Sequence, residues 1–214
     1  MTIRPHAMFA NYLGQLRLYS LIDLVLLLVA IRAGAVDFIG VLLLHVAFLA
    51  YLESRHAHGY RLTVPRWLWL VIGVAGAACY QHGEVIPFVV CSYLYTRKTH
   101  RRFALFSPVA RGLQHLFLVG GITGYAHAMP WIACAALALR NLAGDIRDAG
   151  KDSQEAKEMI TLPILCGLRR DIRHIHLVAV CATSVLWWSV GQFSIAALAA
   201  ALVIEGGTYY LTPR

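Results

Sequence analysis

Long apolar stretches alternate with short polar ones along the whole chain. Apolar runs approaching the roughly 20 residues that cross a bilayer as a helix fall at 18–33, 36–53, 66–82, 84–97, 103–124, 128–146, 174–190 and 193–210. The fourth is short for an isolated span. No Ser/Gly-rich linker, low-complexity tract or usable internal repeat separates these runs. The pattern predicts an all-α fold: one membrane domain over 1–214, a multi-pass transmembrane bundle of about eight spans.

The charges agree with this division. With the N-terminus inside, the inner loops fall at 54–65, 98–102 and 147–173. They carry Arg55 and Arg61; Lys98, Arg101 and Arg102; and Arg147, Lys151, Lys157, Arg169, Arg170 and Arg173. The outer turns near 34, 83, 125–127 and 191–192 carry no Lys or Arg, and Arg32 is the one basic residue beside them. Such asymmetry is the positive-inside pattern, and it predicts both termini on the cytoplasmic side of a cell (inner) membrane.

Composition sharpens the picture. Hydrophobic residues make up 59% of the chain and charged residues 14%, against roughly a quarter charged in a soluble domain. The net charge of +8 would suit nucleic acid if it formed one patch. It lies instead in clusters between apolar runs, which set topology and attract anionic headgroups. Membrane lipids are the expected surroundings, and no nucleic-acid partner is expected. Cys79, Cys91, Cys134, Cys166 and Cys181 lie in or beside apolar runs without a CxxC pair. They read as small hydrophobes and not as a disulfide or zinc framework. The N-terminal MTIRPHAMFANYLGQLR is polar and lacks a small-residue cleavage site, so the first apolar run is expected to stay as a span.

One segment carries chemistry. In RNLAGDIRDAGKD, Asn141, Asp145, Asp148 and Asp152 are spaced four, three and four residues apart. On a continuous helix all four share one face. Three stacked carboxylates repel one another unless water or a cation neutralises them, and oxygen-only ligands suit Mg²⁺. The plainer reading is a solvated helix end. Against it, Asp145 closely follows a long apolar run, where an unpaired carboxylate is expensive.

The stretch DIRDAGKDSQEAKEMITLPI resembles the second aspartate-rich motif of the UbiA superfamily of intramembrane prenyltransferases. That motif runs Asp-x-x-Asp-x-x-x-Asp and is followed by Thr-Leu-Pro, here Asp145, Asp148 and Asp152, then Thr161-Leu162-Pro163. LRLYSLIDL is similar to the Arg-bearing start of the family's first helix. SYLYTRKTHRRFALFSPVARGLQHLFLVGG resembles a basic inner-loop region with its aromatic-then-Lys/Arg pattern. The resemblance implies a helical bundle around a central lipid-facing cavity, where two facing aspartate motifs hold Mg²⁺ on the diphosphate of a polyprenyl donor. Loss of the diphosphate leaves an allylic cation that a small or lipidic acceptor captures. On this resemblance Asp145, Asp148 and Asp152 are the metal-binding, catalytic residues. Asn141, Arg55, Lys98, Arg101, Arg102 and Lys151 are the diphosphate-binding ones.

The first motif departs from that pattern. Where Asn-Asp-x-x-Asp-x-x-x-Asp is expected, the chain reads LAYLESRHAHGYRLTVP, and Glu53 is the one carboxylate. Glu53 then stands as a remnant metal ligand among Arg55, His56, His58 and Arg61. Either these cations contact the diphosphate in place of an ion, or the site is altered in a relative without catalysis. The chain also has eight apolar runs where the family commonly has nine.

Other polar residues in apolar runs are weighed the same way. Arg111, Gln114, His115 and Asp23 either line a cavity or bond between helices. Arg140 pairs with an aspartate or reaches for the interface. Tyr93, Tyr95, Tyr125 and Trp131 fit an aromatic belt. The leading expectation is a Mg²⁺-dependent prenyltransferase. The alternatives are a terpene cyclase of the same superfamily and a non-catalytic lipid-binding or assembly protein. A CDP-alcohol phosphotransferase would need Asp-Gly-x-x-Ala-Arg, which is absent.

Overall fold

The computed structural model describes residues 17–55, 65–97, 101–155 and 160–210. Among them all regular structure is helical. The helices are α1 (Leu18–Ala30), α2 (Ala35–Arg55), α3 (Arg66–Tyr80), α4 (Val85–Thr96), α5 (Arg101–Ala104), α6 (Ser107–Thr123), α7 (Met129–Arg147), α8 (Ala149–Glu155), α9 (Leu162–Leu165), α10 (Ile175–Gly191) and α11 (Ile195–Tyr209).

One of the longer helices falls on each of the eight apolar runs. Their limits come from local chemistry. Arg32 and Gln81 take positive φ just after α1 and α3, which ends a right-handed helix. Proline occupies the first turn of α6, α7 and α9, where its missing N–H is not needed. Ser194 caps α11, its hydroxyl accepting from the Ala197 amide at 3.2 Å. Five of the eight helices are shorter than their runs. α2, with 21 residues, is the one described helix long and apolar enough to cross a membrane. At 1.5 Å per residue it measures about 32 Å, against about 30 Å of hydrocarbon. α1 and α4 have 13 and 12 residues, or about 20 and 18 Å.

The chain divides into two compact units, Met1–Gln81 with Ser184–Arg214, and His82–Thr183. In the first, α2 packs along α3 and α1 along α11. Gly40 lets α2 and α3 touch at the backbone: a Cβ there would stand 2.6 Å from the Tyr80 nitrogen. Leu24, Leu27, Leu28, Val41, Leu52 and Trp187 fill the interior. In the second unit α6 packs on both α4 and α7, burying Leu116, Leu118, Val119, Ala133 and Leu137.

Apolar side chains cover outer faces as well as the interior. On α3, Trp67, Leu70, Val71 and Val74 are all more than half exposed, and their spacing puts them on one face. On α4, Ile86, Val89, Val90 and Tyr93 repeat the same spacing. Val178 of α10 and Ile195 and Val203 of α11 are also exposed. Meanwhile Asp23, His45, Glu53, Gln114, His115, Arg140, Asp145 and Glu205 are buried. Burying a side chain such as valine or leucine is worth about 1.5–3 kcal/mol, so water is a poor solvent for these outer faces.

Close packing at Gly40 yields a prediction. Gly40→Ala should destabilise the protein by about 1–3 kcal/mol through backbone overlap, lowering Tm by about 2–4 °C per kcal/mol. Gly207, with nothing within 4 Å of its hypothetical Cβ, is the control, and Gly207→Ala should leave Tm unchanged or slightly raised. Equal Tm values for the two variants would refute the close approach.

Candidate functional site

The aspartate segment does not form one continuous helix. α7 ends at Arg147, Asp148 sits at φ −98°, ψ 5°, and α8 begins at Ala149. Asp171 accounts for the break. Its Oδ1 accepts from the Gly150 amide at 2.9 Å and the Lys151 amide at 3.2 Å. Those donors belong to the first turn of α8, where a helix leaves its N–H groups unsatisfied. Gly150 allows the approach: a Cβ there would lie 2.9 Å from both the Asp171 nitrogen and its Oδ1. The Asp152 amide still bonds the Asp148 carbonyl at 2.8 Å, so helical spacing resumes at once.

The second unit surrounds this segment with polar groups from three helices. Tyr95 on α4 donates to Asn141 Oδ1 at 2.9 Å. Ser107, at the start of α6, donates to Asp145 Oδ2 at 3.0 Å and accepts from Asn141 Nδ2 at 3.4 Å. Asp145 is buried while Asp148 and Asp152 are half-buried. Arg147 grips Asp148 with two bonds, Nε to Oδ1 at 2.7 Å and Nη2 to Oδ2 at 2.5 Å. This fork-on-carboxylate geometry is the strong form of the ion pair. Its Nη1 donates to His176 Nδ1 at 3.1 Å. Because arginine only donates, that ring nitrogen is the acceptor and carries no proton.

The other expected site residues are dispersed. In the first unit, buried Glu53 pairs with Arg17 at 3.2 Å, and Arg55 on the same helix is exposed. Arg17 belongs to LRLYSLIDL, so that stretch supplies the counter-charge to the single acid of the altered first motif. Lys151 is half-buried on α8. Arg101 and Arg102 lie on α5, with only their backbone described. Lys98, His56, His58, Arg61 and Lys157 lie outside the described residues.

Intrahelical polar residues bond between helices. Arg111 donates to Gln114 at 2.7 Å, and Gln114 donates to Ser92 on α4 at 2.8 Å. Asp23 accepts from the Trp187 indole at 2.8 Å, and Ser184 donates to Glu205 at 2.5 Å. The Arg97 guanidinium lies 4.8 Å above the Tyr93 ring. Desolvation and the Glu84 carboxylate push the Tyr125 phenol above its ordinary range.

Mg²⁺ is the ion implied by the resemblance, and the donor chemistry of three aspartates suits it. Their arrangement does not. Both Asp148 oxygens engage Arg147, Asp145 is bonded to Ser107, and no three His, Cys, Asp or Glu groups among the described residues converge as a metal requires. The described residues therefore do not fit the ion as they stand. Comparison with protein-family models, with curated proteins and with solved structures returns no match for this chain.

Asp171 and Ser107 were not singled out by sequence reasoning as site residues. The Asp171 cap is testable: Asp171→Ala should destabilise the start of α8 by about 1 kcal/mol and accelerate hydrogen exchange of the Gly150 and Lys151 amides. Unchanged exchange at both would rule the cap out.

Proposed function

We propose that this chain is a multi-pass membrane protein of the UbiA type that binds a polyprenyl diphosphate at the Asp145–Asp152 segment and transfers the prenyl group to an acceptor. The observation that carries the reading is a buried polar chain, Tyr95–Asn141–Ser107–Asp145, running up to a surface ion pair in a protein whose outer helix faces are apolar. Buried polar groups are retained against their desolvation where they are paired, and in a membrane helix they mark function by default.

Chemistry at this segment follows from its own charges. A diphosphate brings negative charge that grows as the carbon–oxygen bond breaks, and cations held near it stabilise departure. Arg147 and Lys151 are the described cations of the segment. An anionic ligand that draws Arg147 to itself would release Asp148. No step through a metal ion is derived from this arrangement. The apolar chamber that the resemblance implies would keep water from the allylic cation.

A second reading, a lipid-binding relative without catalysis, is favoured by one observation. Two acids expected to hold metal, Glu53 and Asp148, are neutralised by Arg17 and Arg147 of the chain itself. Such a protein needs no ion to offset them.

Binding of farnesyl and geranylgeranyl diphosphate to purified protein separates the readings. The transferase reading expects affinity that depends on Mg²⁺ and falls at least about tenfold, or 1.4 kcal/mol, in Asp148→Ala. Isoprenoid binding that survives EDTA and ignores the substitution would support the silent relative. For the membrane part, the chain should stay with membranes after an alkaline carbonate wash, and release into the supernatant would refute it.

A further inference from the structure

The segment from Leu162 to His174 combines features that neither the fold nor the proposed site uses. α9 is a single turn with two unlike faces. Thr161, Pro163 and Ile164 are buried, whereas Leu162 is 38% and Leu165 61% exposed. After the turn come Arg169, Arg170, Ile172, Arg173 and His174, all exposed. Arg169 folds back, its Nη1 donating to the Ile164 carbonyl at 2.6 Å, which closes the C-terminal end of α9. Arg170 and Arg173 form no ion pair among the described residues. The one acid of the loop, Asp171, is committed to the Gly150 and Lys151 amides. Its two bonds pin the loop to the start of α8, and the backbone of Arg170 lies against Gly150. The loop is therefore held outward with its arginines and apolar side chains on display.

We infer that this loop is a docking element for the anionic headgroups of the membrane surface. It rests on the membrane reading above and goes beyond it by assigning a lipid class to a particular loop. Charge complementarity selects the occupant: two exposed arginines with no ion pair among the described residues attract an anionic lipid surface, and Leu162, Leu165 and Ile172 supply the apolar contacts that settle into the headgroup boundary. Position agrees. The loop is fastened to the segment that follows α7, and α10 begins one residue after His174, so it lies at helix ends, where a spanning helix meets the interface. A soluble acidic protein would match the arginines but not the exposed Leu162, Leu165 and Ile172 beside them.

Cys166 provides the probe, because it is exposed while Cys91 is buried and Cys79, Cys134 and Cys181 are only partly accessible. The full chain is labelled at Cys166 with an environment-sensitive fluorophore, and the labelling position is verified by peptide mass spectrometry. It is then reconstituted in phosphatidylcholine vesicles with or without phosphatidylglycerol. A neutral aqueous quencher, acrylamide, reads the exposure of the label. Quenching should fall when phosphatidylglycerol is present and return at high salt, where the Debye length shrinks to about 3 Å. Each of Arg170→Gln and Arg173→Gln should reduce the docked-to-free ratio about fivefold, the equivalent of about 1 kcal/mol per arginine. Both residues are exposed and form no ion pair among the described residues, so neither change should disturb folding. As a second readout without label, the thermal stability of the unlabelled chain should rise in phosphatidylglycerol for the native sequence and not for the double variant. If the chain stays integrated but the label is quenched equally in both lipid mixtures, the inference is overturned. Equally low quenching in both, from cover by the chain itself or a second copy, overturns it too. Loss of the chain from the vesicles in alkaline carbonate overturns the membrane reading and this inference together.

Discussion

Every charged or hydrogen-bonding side chain buried among these helices has to find its complement there, and that requirement organises both units. Leaving a buried polar group unmatched costs about 1–3 kcal/mol, more for a charge. Asp23 meets the Trp187 indole, Glu205 meets Ser184, and Glu53 meets Arg17. Gln114 links Arg111 to Ser92. Most of these pairs join different helices, and one spans most of the chain, Asp23 and Trp187 being 164 residues apart. They specify which helix lies beside which more sharply than apolar contact can, since one leucine packs against another in many registers.

The same pairing explains why the exterior looks as it does. With these polar groups paired inside (the buried Thr161 hydroxyl, with no partner among the described residues, is an exception), the opposite faces of α3 and α4 are free to be apolar, as Trp67, Leu70, Val71 and Val74 are, and Ile86, Val89 and Val90. A protein in water folds chiefly by hiding such side chains. On the membrane reading proposed above, hydrocarbon has no reason to reject them, and association there rests on close packing and interhelical hydrogen bonds. The contact of Gly40 with the Tyr80 backbone supplies the first. The buried pairs supply the second.

Helix positions were legible in the chain because apolar runs and their breakers are local signals. A helix falls on each of the eight runs, and the shortfall in length comes from features such as the left-handed Arg32 and Gln81, which hydropathy does not register. The face shared by Asn141, Asp145, Asp148 and Asp152 was read from a continuous helix. Its interruption at Asp148 was not legible, because the cause, Asp171, lies some twenty residues away in a loop that reads as basic. The signal available was slight: one acid among Arg169, Arg170 and Arg173, with a glycine in the helix it caps. Ser107 was similarly silent, a small polar residue at a helix start whose role depends on where α6 and α7 meet. Glu53 was legible as the lone acid of its region. Its pairing with Arg17 was not, being a contact across 36 residues.

Arg147 ties these threads together. It lies within DIRD, and it pairs with Asp148 as Arg17 pairs with Glu53. Breaking a buried pair by removing one member typically costs several kcal/mol, because a charge is left behind. Asp148 is 30% exposed and its partner 18%, so solvent screens this pair and the coupling is weaker. The two ion pairs therefore differ in kind. At 5% exposure, Glu53 is locked to Arg17 unless the first helix moves. Asp148 sits at a helix break and is partly exposed, so it can exchange Arg147 for another cation at modest cost. If one of the two acidic positions has kept the ability to change partners, the physical chemistry favours Asp148.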